Sequence, residues 1–202
     1  MRKITVCTFM TMDGVIQSPG SPEEDTSNNF KWGGWSAHYW DELMNEAMAK
    51  TTEQPYDLLL GRRTYDIFQA FWPNQKPNPT TDTFNRIQKF VVSGSALNLS
   101  WENSTLITGE VVSALAELKN TEGPDLLVYG SSNLVQTLLQ HHLVDVMQNW
   151  IFPVTLGTGQ LFFESGTQPQ SWNLLNAEIS TTGVIIASYA PDGTVKTGHM
   201  SL

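Results

Sequence analysis

At 202 residues the chain holds enough material for one sizeable α/β unit and too little for two. Its hydrophobic fraction of 40% is ordinary for a globular domain and argues against disorder across the length, while a net charge of −9 with only 11 lysines and arginines argues against nucleic-acid binding. One cysteine, Cys7, excludes an internal disulfide, and with four scattered histidines it leaves no basis for a metal site. No apolar run approaches the ~20 residues a membrane helix needs, and Met1 to Ile4 shows no secretory pattern, so the expected setting is cytoplasmic and away from membranes.

Ile4 to Phe9 reads as a first strand, and Asp13-Gly14 after it as a turn. Residues 17–35 form the longest polar, Gly/Pro-rich stretch, a loop expected to roof a pocket. It leads into Trp32, Trp35 and Trp40, whose rings serve either to stack on a flat ligand or to fill a dimer interface. Ser36 is expected to cap a helix from Ala37 to about Lys50. Leu58 to Leu60 is a short apolar strand buried on both faces. Gly61 ends it, and Tyr65, Phe68, Ala70 and Phe71 keep helical spacing until Pro73.

Further along, Thr83 to Gln88 reads as a short helix, Phe90 to Val92 as a strand ending in Ser93-Gly94-Ser95, and Thr105 to Ile107 as another strand. Val111 to Lys119 is a helix, and Leu126 to Tyr129 a strand that meets Gly130 before a helix carrying Leu134, Leu138 and Leu139. Val144 to Pro153 is a long strand, and Leu161 to Phe163 follows the Gly157–Gly159 turn. Trp172 to Ala177 and Val184 to Tyr189 pair as an antiparallel hairpin, and residues 192–202 form a frayed tail. The expected fold is α/β: a mixed, mostly parallel sheet with helices on both faces and a C-terminal antiparallel hairpin, with no linker dividing residues 1–202.

Two segments share one device. After Leu60, Gly61-Arg62-Arg63-Thr64 opens a helix; after Tyr129, Gly130-Ser131-Ser132 does the same, followed by Asn133 and Leu134. A strand that turns through glycine into a helix leaves N–H groups unpaired at a positive helix end, which seats phosphate. Arginines concentrated there in an acidic chain strengthen the reading. Neither turn matches a Rossmann or a P-loop pattern.

Met12-Asp13-Gly14-Val15-Ile16, Leu59 to Tyr65, Val128 to Ser132 and Phe152 to Gly159 followed by Leu161-Phe162 together resemble the dihydrofolate reductase superfamily. They are most similar to the reductase domain of riboflavin-biosynthesis deaminase/reductases. The resemblance covers nearly the whole chain and implies a dihydrofolate reductase-like homodimer that binds NADPH, with NADH as the alternative. It places the cofactor's phosphates on Gly61 to Thr64, with Arg62 or Arg63 toward the 2′-phosphate. It also places the pyrophosphate on Gly130 to Ser132, continuing to Asn133 and Leu134, the adenosine ribose near Ser93, and the nicotinamide near Asp13 and Gly14. Where related enzymes often carry a basic residue after the third strand, this chain has Ser93-Gly94-Ser95, which leaves the choice between NADPH and NADH open.

Asp13 is the first candidate for the proton source and otherwise a turn residue; Asp41, beside Glu42, is the second, with Trp35 and Trp40 as substrate-pocket residues. His38 is a lesser candidate. The activity expected is hydride transfer to a small heterocyclic or carbonyl substrate. A non-catalytic NADP-binding module or redox sensor, and an interaction protein that uses its tryptophans, are the alternatives.

Overall fold

The computed structural model describes residues 1–200. Ile4–Thr11 forms β1, and a long loop leads from it to helix α1, Glu42–Thr51. Strand β2, Tyr56–Gly61, runs directly into α2, Arg62–Phe71. Then come α3 (Pro79–Arg86), β3 (Lys89–Val92), β4 (Ser104–Ile107), α4 (Val111–Asn120), β5 (Asp125–Tyr129) and α5 (Ser132–Gln140). The remaining strands are β6 (Val146–Phe152), β7 (Trp172–Ile179) and β8 (Ile185–Pro191).

These strands form one sheet in the order β4-β3-β2-β5-β1-β6-β8-β7. Neighbours from β4 to β6 are parallel, whereas β8 is antiparallel to both β6 and β7. The chain builds outward from β1 through β2, β3 and β4, then returns with β5 to fill the gap between β2 and β1. Such a reversal opens a crevice at the carboxyl ends of the strands.

Helices cover both faces, and two apolar clusters result. Leu58 and Leu60 pack into one with Tyr65, Trp150 and Met44 of α1; Leu59 packs into the other with Ile4, Val128 and Leu138 of α5. All three leucines of β2 are fully buried, each contributing roughly 1.5–3 kcal/mol of transfer free energy. At the amino ends of the strands, Arg2 pairs with Asp57 at 2.5 Å and lies over the Phe90 ring. Lys119 pairs there with Asp145. Buried Lys89 donates to the carbonyls of Asn85 and Glu102 and sits over Trp101.

Several expectations need correction. The helix expected from Ala37 is a single 3-10 turn, Ala37–Tyr39, and α1 starts only at Glu42. Ser36 donates its hydroxyl to Pro19 O instead of capping, and Asp41 caps α1 by accepting from Met44 N. α3 begins at Pro79, earlier than expected, because Asn78 accepts from the N–H groups of Thr80 and Thr81. After the Gly157–Gly159 turn, Leu161 forms an isolated antiparallel bridge with Val15. In the expected tail, Asp192 and Gly193 bond to Ser171 and prolong the hairpin, while residues 201–202 lie outside the described residues.

Candidate functional site

The two glycine turns meet at the crevice. Ser131 Oγ accepts from Gly61 N at 3.0 Å and donates to Thr64 Oγ1 at 2.8 Å, so one hydroxyl joins the start of α2 to the start of α5. Whereas α1 and α3 carry side-chain caps, α2 and α5 carry none. α4 also lacks one, but its first turn does not line the crevice. The first-turn N–H groups of α2 and α5 therefore keep no intrahelical acceptor and present their positive helix ends together. Gly130 has φ of +53°, and a Cβ built on it would stand 3.7 Å from Thr64 Oγ1, inside the cradle between the turns. Ser131 also adopts a left-handed conformation, φ 55°, strained for a residue with a side chain.

A cavity of about 1390 Å³ opens over these turns. Gly61, Arg62, Arg63 and Thr64 line it, as do Ser93, Gly130, Ser131, Ser132, Asn133 and Leu134. The structure thus gathers the residues proposed for phosphates and ribose from three separate strand ends. Both arginines already hold carboxylates: Arg62 Nε lies 2.7 Å from Asp66, one turn on, and Arg63 lies 2.5 Å from Asp25 in the long loop. Burial works against Asp25's negative charge, but hydrogen bonds from Arg63 and Ser27 outweigh it and hold the carboxyl below its usual range. Arg63 also borders a smaller cavity of about 480 Å³ beneath the loop.

The loop is a folded object. Gln17 donates to Asp25 O and Ser27 O, Glu24 accepts from Gly20 N at 2.6 Å, and Trp35 Nε1 donates to Gln17 O at 2.8 Å. Gly159, at φ +115°, passes so close beneath it that a Cβ would lie 2.7 Å from Phe30 and Val15. Residues 17–25 contribute cavity wall, so this segment roofs the site at the arginine end.

Four proposed site residues stand elsewhere. Asp13 does not line the cavity; its carboxylate accepts from Thr11 Oγ1 and from the N–H groups of Leu156 and Gly157, at 3.0 and 2.7 Å. Burial alone would raise its pKa, but the hydrogen bonds from Thr11, Gly157 and Leu156 together hold it below the usual value. In this arrangement the carboxylate ties the end of β1 to the Leu156–Gly157 turn. Gly14, at φ +81°, accepts from Phe162 N and also lies off the cavity. Asp41 caps α1 and accepts from Thr181 N and Oγ1, both at 2.7 Å; Thr181 and Met44 hold its pKa low. Trp35 is 8% exposed, edge-on to Phe152, and belongs to the core. Trp40 does line the cavity, stacked on Trp150 with centroids 5.9 Å apart. His38 lies exposed on the 3-10 turn, outside the lining.

The rest of the cavity wall escaped sequence reasoning. Phe68, Phe71 and Trp72 on or just after α2, Phe84 on α3, and Tyr129 at the end of β5 line its far end. Met48 and Asn45 face them from α1. Trp72 and Phe84 stack at 4.4 Å, and Phe84 lies 6.0 Å from Tyr129. Tyr129 was legible as the strand's last residue before Gly130; the others come together only through the packing of three helices.

A reversed parallel sheet, two uncapped helix starts and a roofing loop define an α/β protein of the dihydrofolate reductase-like fold. Within that fold the chain belongs to the RibD C-terminal domain family, whose match spans residues 2–186. It is 25% identical over 140 residues to the protein YyaP of Bacillus subtilis, covering 67% of this chain and 74% of that one. A putative riboflavin biosynthesis protein from Shewanella sp. PV-4 superposes with TM-score 0.66 and 22% identity, over 95% of this chain and 99% of the other. Dihydrofolate reductase from Enterococcus faecalis, solved with NADP(H), gives 0.59 and 16% over 94% and 96%. A pyrimidine reductase-like protein from Corynebacterium diphtheriae gives 0.64 and 11% over 95% and 92%.

Proposed function

We propose that the protein is an NAD(P)H-dependent reductase of a small heterocyclic or carbonyl compound. The observation that carries the proposal is the convergence of two uncapped helix starts, Gly61–Thr64 and Gly130–Leu134, on one cavity beside Arg62 and Arg63. These residues fit a dinucleotide: N–H donors without acceptors, an open cradle at Gly130, and two cations at its rim. Family membership supports the same reading.

When bound, the dinucleotide supplies a hydride. The chain itself orients and shields. Ser131 fixes the spacing of the two turns, the 17–25 segment limits water at the arginine end, and the aromatic far end positions the acceptor. With Asp13 and Asp41 committed to hydrogen bonds away from the cavity, the proton comes from solvent or from a hydroxyl of the wall. The same commitment favours a second reading, a dinucleotide-binding module without chemistry.

Titration with NADPH, and with NADH in parallel, followed by tryptophan fluorescence, tests the cavity. Micromolar binding supports the proposal, and failure of both nucleotides to bind refutes it. Consumption of bound NADPH during a substrate screen then separates the reductase from the silent module.

A further inference from the structure

The two ends of the large cavity differ in kind. Its charged lining residues, Glu23, Glu24, Asp25, Arg62 and Arg63, all belong to the loop and the start of α2. Beyond Ile67 the wall turns aromatic, and among the described residues no Asp, Glu, Lys, Arg or His lines it. The polar groups of the lining away from the loop and the turns are neutral: the hydroxyls of Thr8, Thr52, Thr80 and Thr83, the phenols of Tyr56 and Tyr129, and the Asn45 amide. Asn45 has both ends of its amide engaged, accepting from Trp40 Nε1 at 2.7 Å and donating to Glu42. Tyr129 Oη has the Met48 sulfur, at 3.5 Å, as its partner, and a thioether is a weak acceptor. Burial keeps that phenol protonated, because its pKa stands well above the ordinary value. The hydroxyl is a donor in need of a better acceptor.

From this geometry we infer, resting on the reductase reading, that the substrate is an uncharged flat ring bearing an acceptor oxygen, packed against the face that the contacting Phe68 and Phe84 rings form, across from Met48, with its oxygen toward Tyr129 Oη. A phosphorylated or protonated substrate would bring a charge into a wall that offers it no partner, at a cost the apolar contacts do not return. An aromatic slot instead rewards a flat neutral ring, by stacking and by loss of wet apolar surface. At about 1390 Å³ the cavity also exceeds the roughly 300–1,000 Å³ of a single small-ligand site, leaving this end free when the turns are filled.

Three bicyclic probes of similar size test the inference by quenching of tryptophan fluorescence: coumarin, neutral with a lactone carbonyl; the 4-hydroxycoumarin anion; and 2,4-diaminoquinazoline, protonated at mildly acidic pH. Coumarin is expected to bind at least about tenfold more tightly than either charged probe. Phe71→Asp at the half-exposed rim of α2 and Ala49→Glu on the facing surface of α1 are each expected to weaken coumarin by about the same factor. Thermal melting reports that the variants fold, and two walls guard against the loss of either one. Equal or tighter binding of a charged probe, no coumarin binding, or coumarin binding indifferent to both variants would overturn the inference. Coumarin binding without NADPH binding would leave this slot standing and end the reductase reading; NADPH binding without coumarin would do the reverse.

Discussion

Arg62 and Arg63 do not wait as free cations, because Asp66 and Asp25 already neutralise them. On the proposed reading a 2′-phosphate would share each guanidinium with a carboxylate, which lowers the advantage of NADPH over NADH. Arg62→Ala or Arg63→Ala is expected to weaken NADPH by about tenfold and NADH by less, and equal losses in parallel titrations would contradict this. Asp25→Asn is expected to act in the opposite direction, raising the preference for NADPH several-fold, most visibly at low salt. At the same scale, Asp13 was legible as a turn residue but not as a clamp, since its two N–H partners lie more than 140 positions along the chain. Its folded-state pKa lies below the unfolded value, so its contribution is present above that unfolded value and is lost as pH falls through the folded one. Asp13→Asn should therefore lower the melting temperature at neutral pH and narrow its gap to the parent protein in acid. A reductase rate with an unchanged pH profile in that variant would agree with a clamp; loss of one limb of the profile would restore Asp13 as the acid.

Among elements, the strand–glycine–helix turns were legible in full because each is local: an apolar run, a residue free to bend, a helical stripe. β2 and α2, and β5 and α5, lie where the pattern puts them. The start of α1 was not legible, because Ser36 and Asp41 are both good caps and the choice between them depends on Pro19 and Thr181, which come from other parts of the fold. Asp41→Ala is expected to lower the denaturant midpoint through the lost cap, with dinucleotide binding unchanged. Gly130→Val places a branched side chain at φ +53° within the cradle between the turns. It is expected to abolish dinucleotide binding and to cost roughly 1–2 kcal/mol in backbone strain. Retained affinity in a folded variant would reduce the second turn to ordinary helix initiation. Lys89, the first residue of β3, has its pKa pushed down to about 8 by burial, partly offset by Glu102. The unfolded chain then binds the proton more tightly, so this residue's penalty is full below about 8 and disappears as pH rises toward 10.5. Melting curves should show the parent protein gaining on Lys89→Met across that window.

For the whole molecule, β7 is the outer edge of the sheet and carries Leu174, Leu175 and Ile179 at 58, 57 and 66% exposure. An apolar edge of this kind, whose one charged residue, Glu178, is paired with Lys50, invites pairing, and a second copy of the chain is the partner we propose for it. Light scattering is expected to give a dimer for the parent protein and a monomer for Leu175→Lys; a parent monomer would end that proposal. No helix among the described residues is long and apolar enough to cross a membrane. What the sequence determined by itself was the class of sheet, the two strand–glycine–helix turns and the acidic, single-cysteine character of the chain, because composition, short-range periodicity and backbone freedom decide those features. Only the tertiary structure decided that Ser131 joins the two turns, that Asp13 bonds to Leu156 and Gly157, Asp41 to Thr181 and Trp35 packs on Phe152, and that rings from α2, α3 and β5 make one uncharged wall. Each of these depends on residues far apart in the chain, whose meeting is set by the strand order and not by any local pattern.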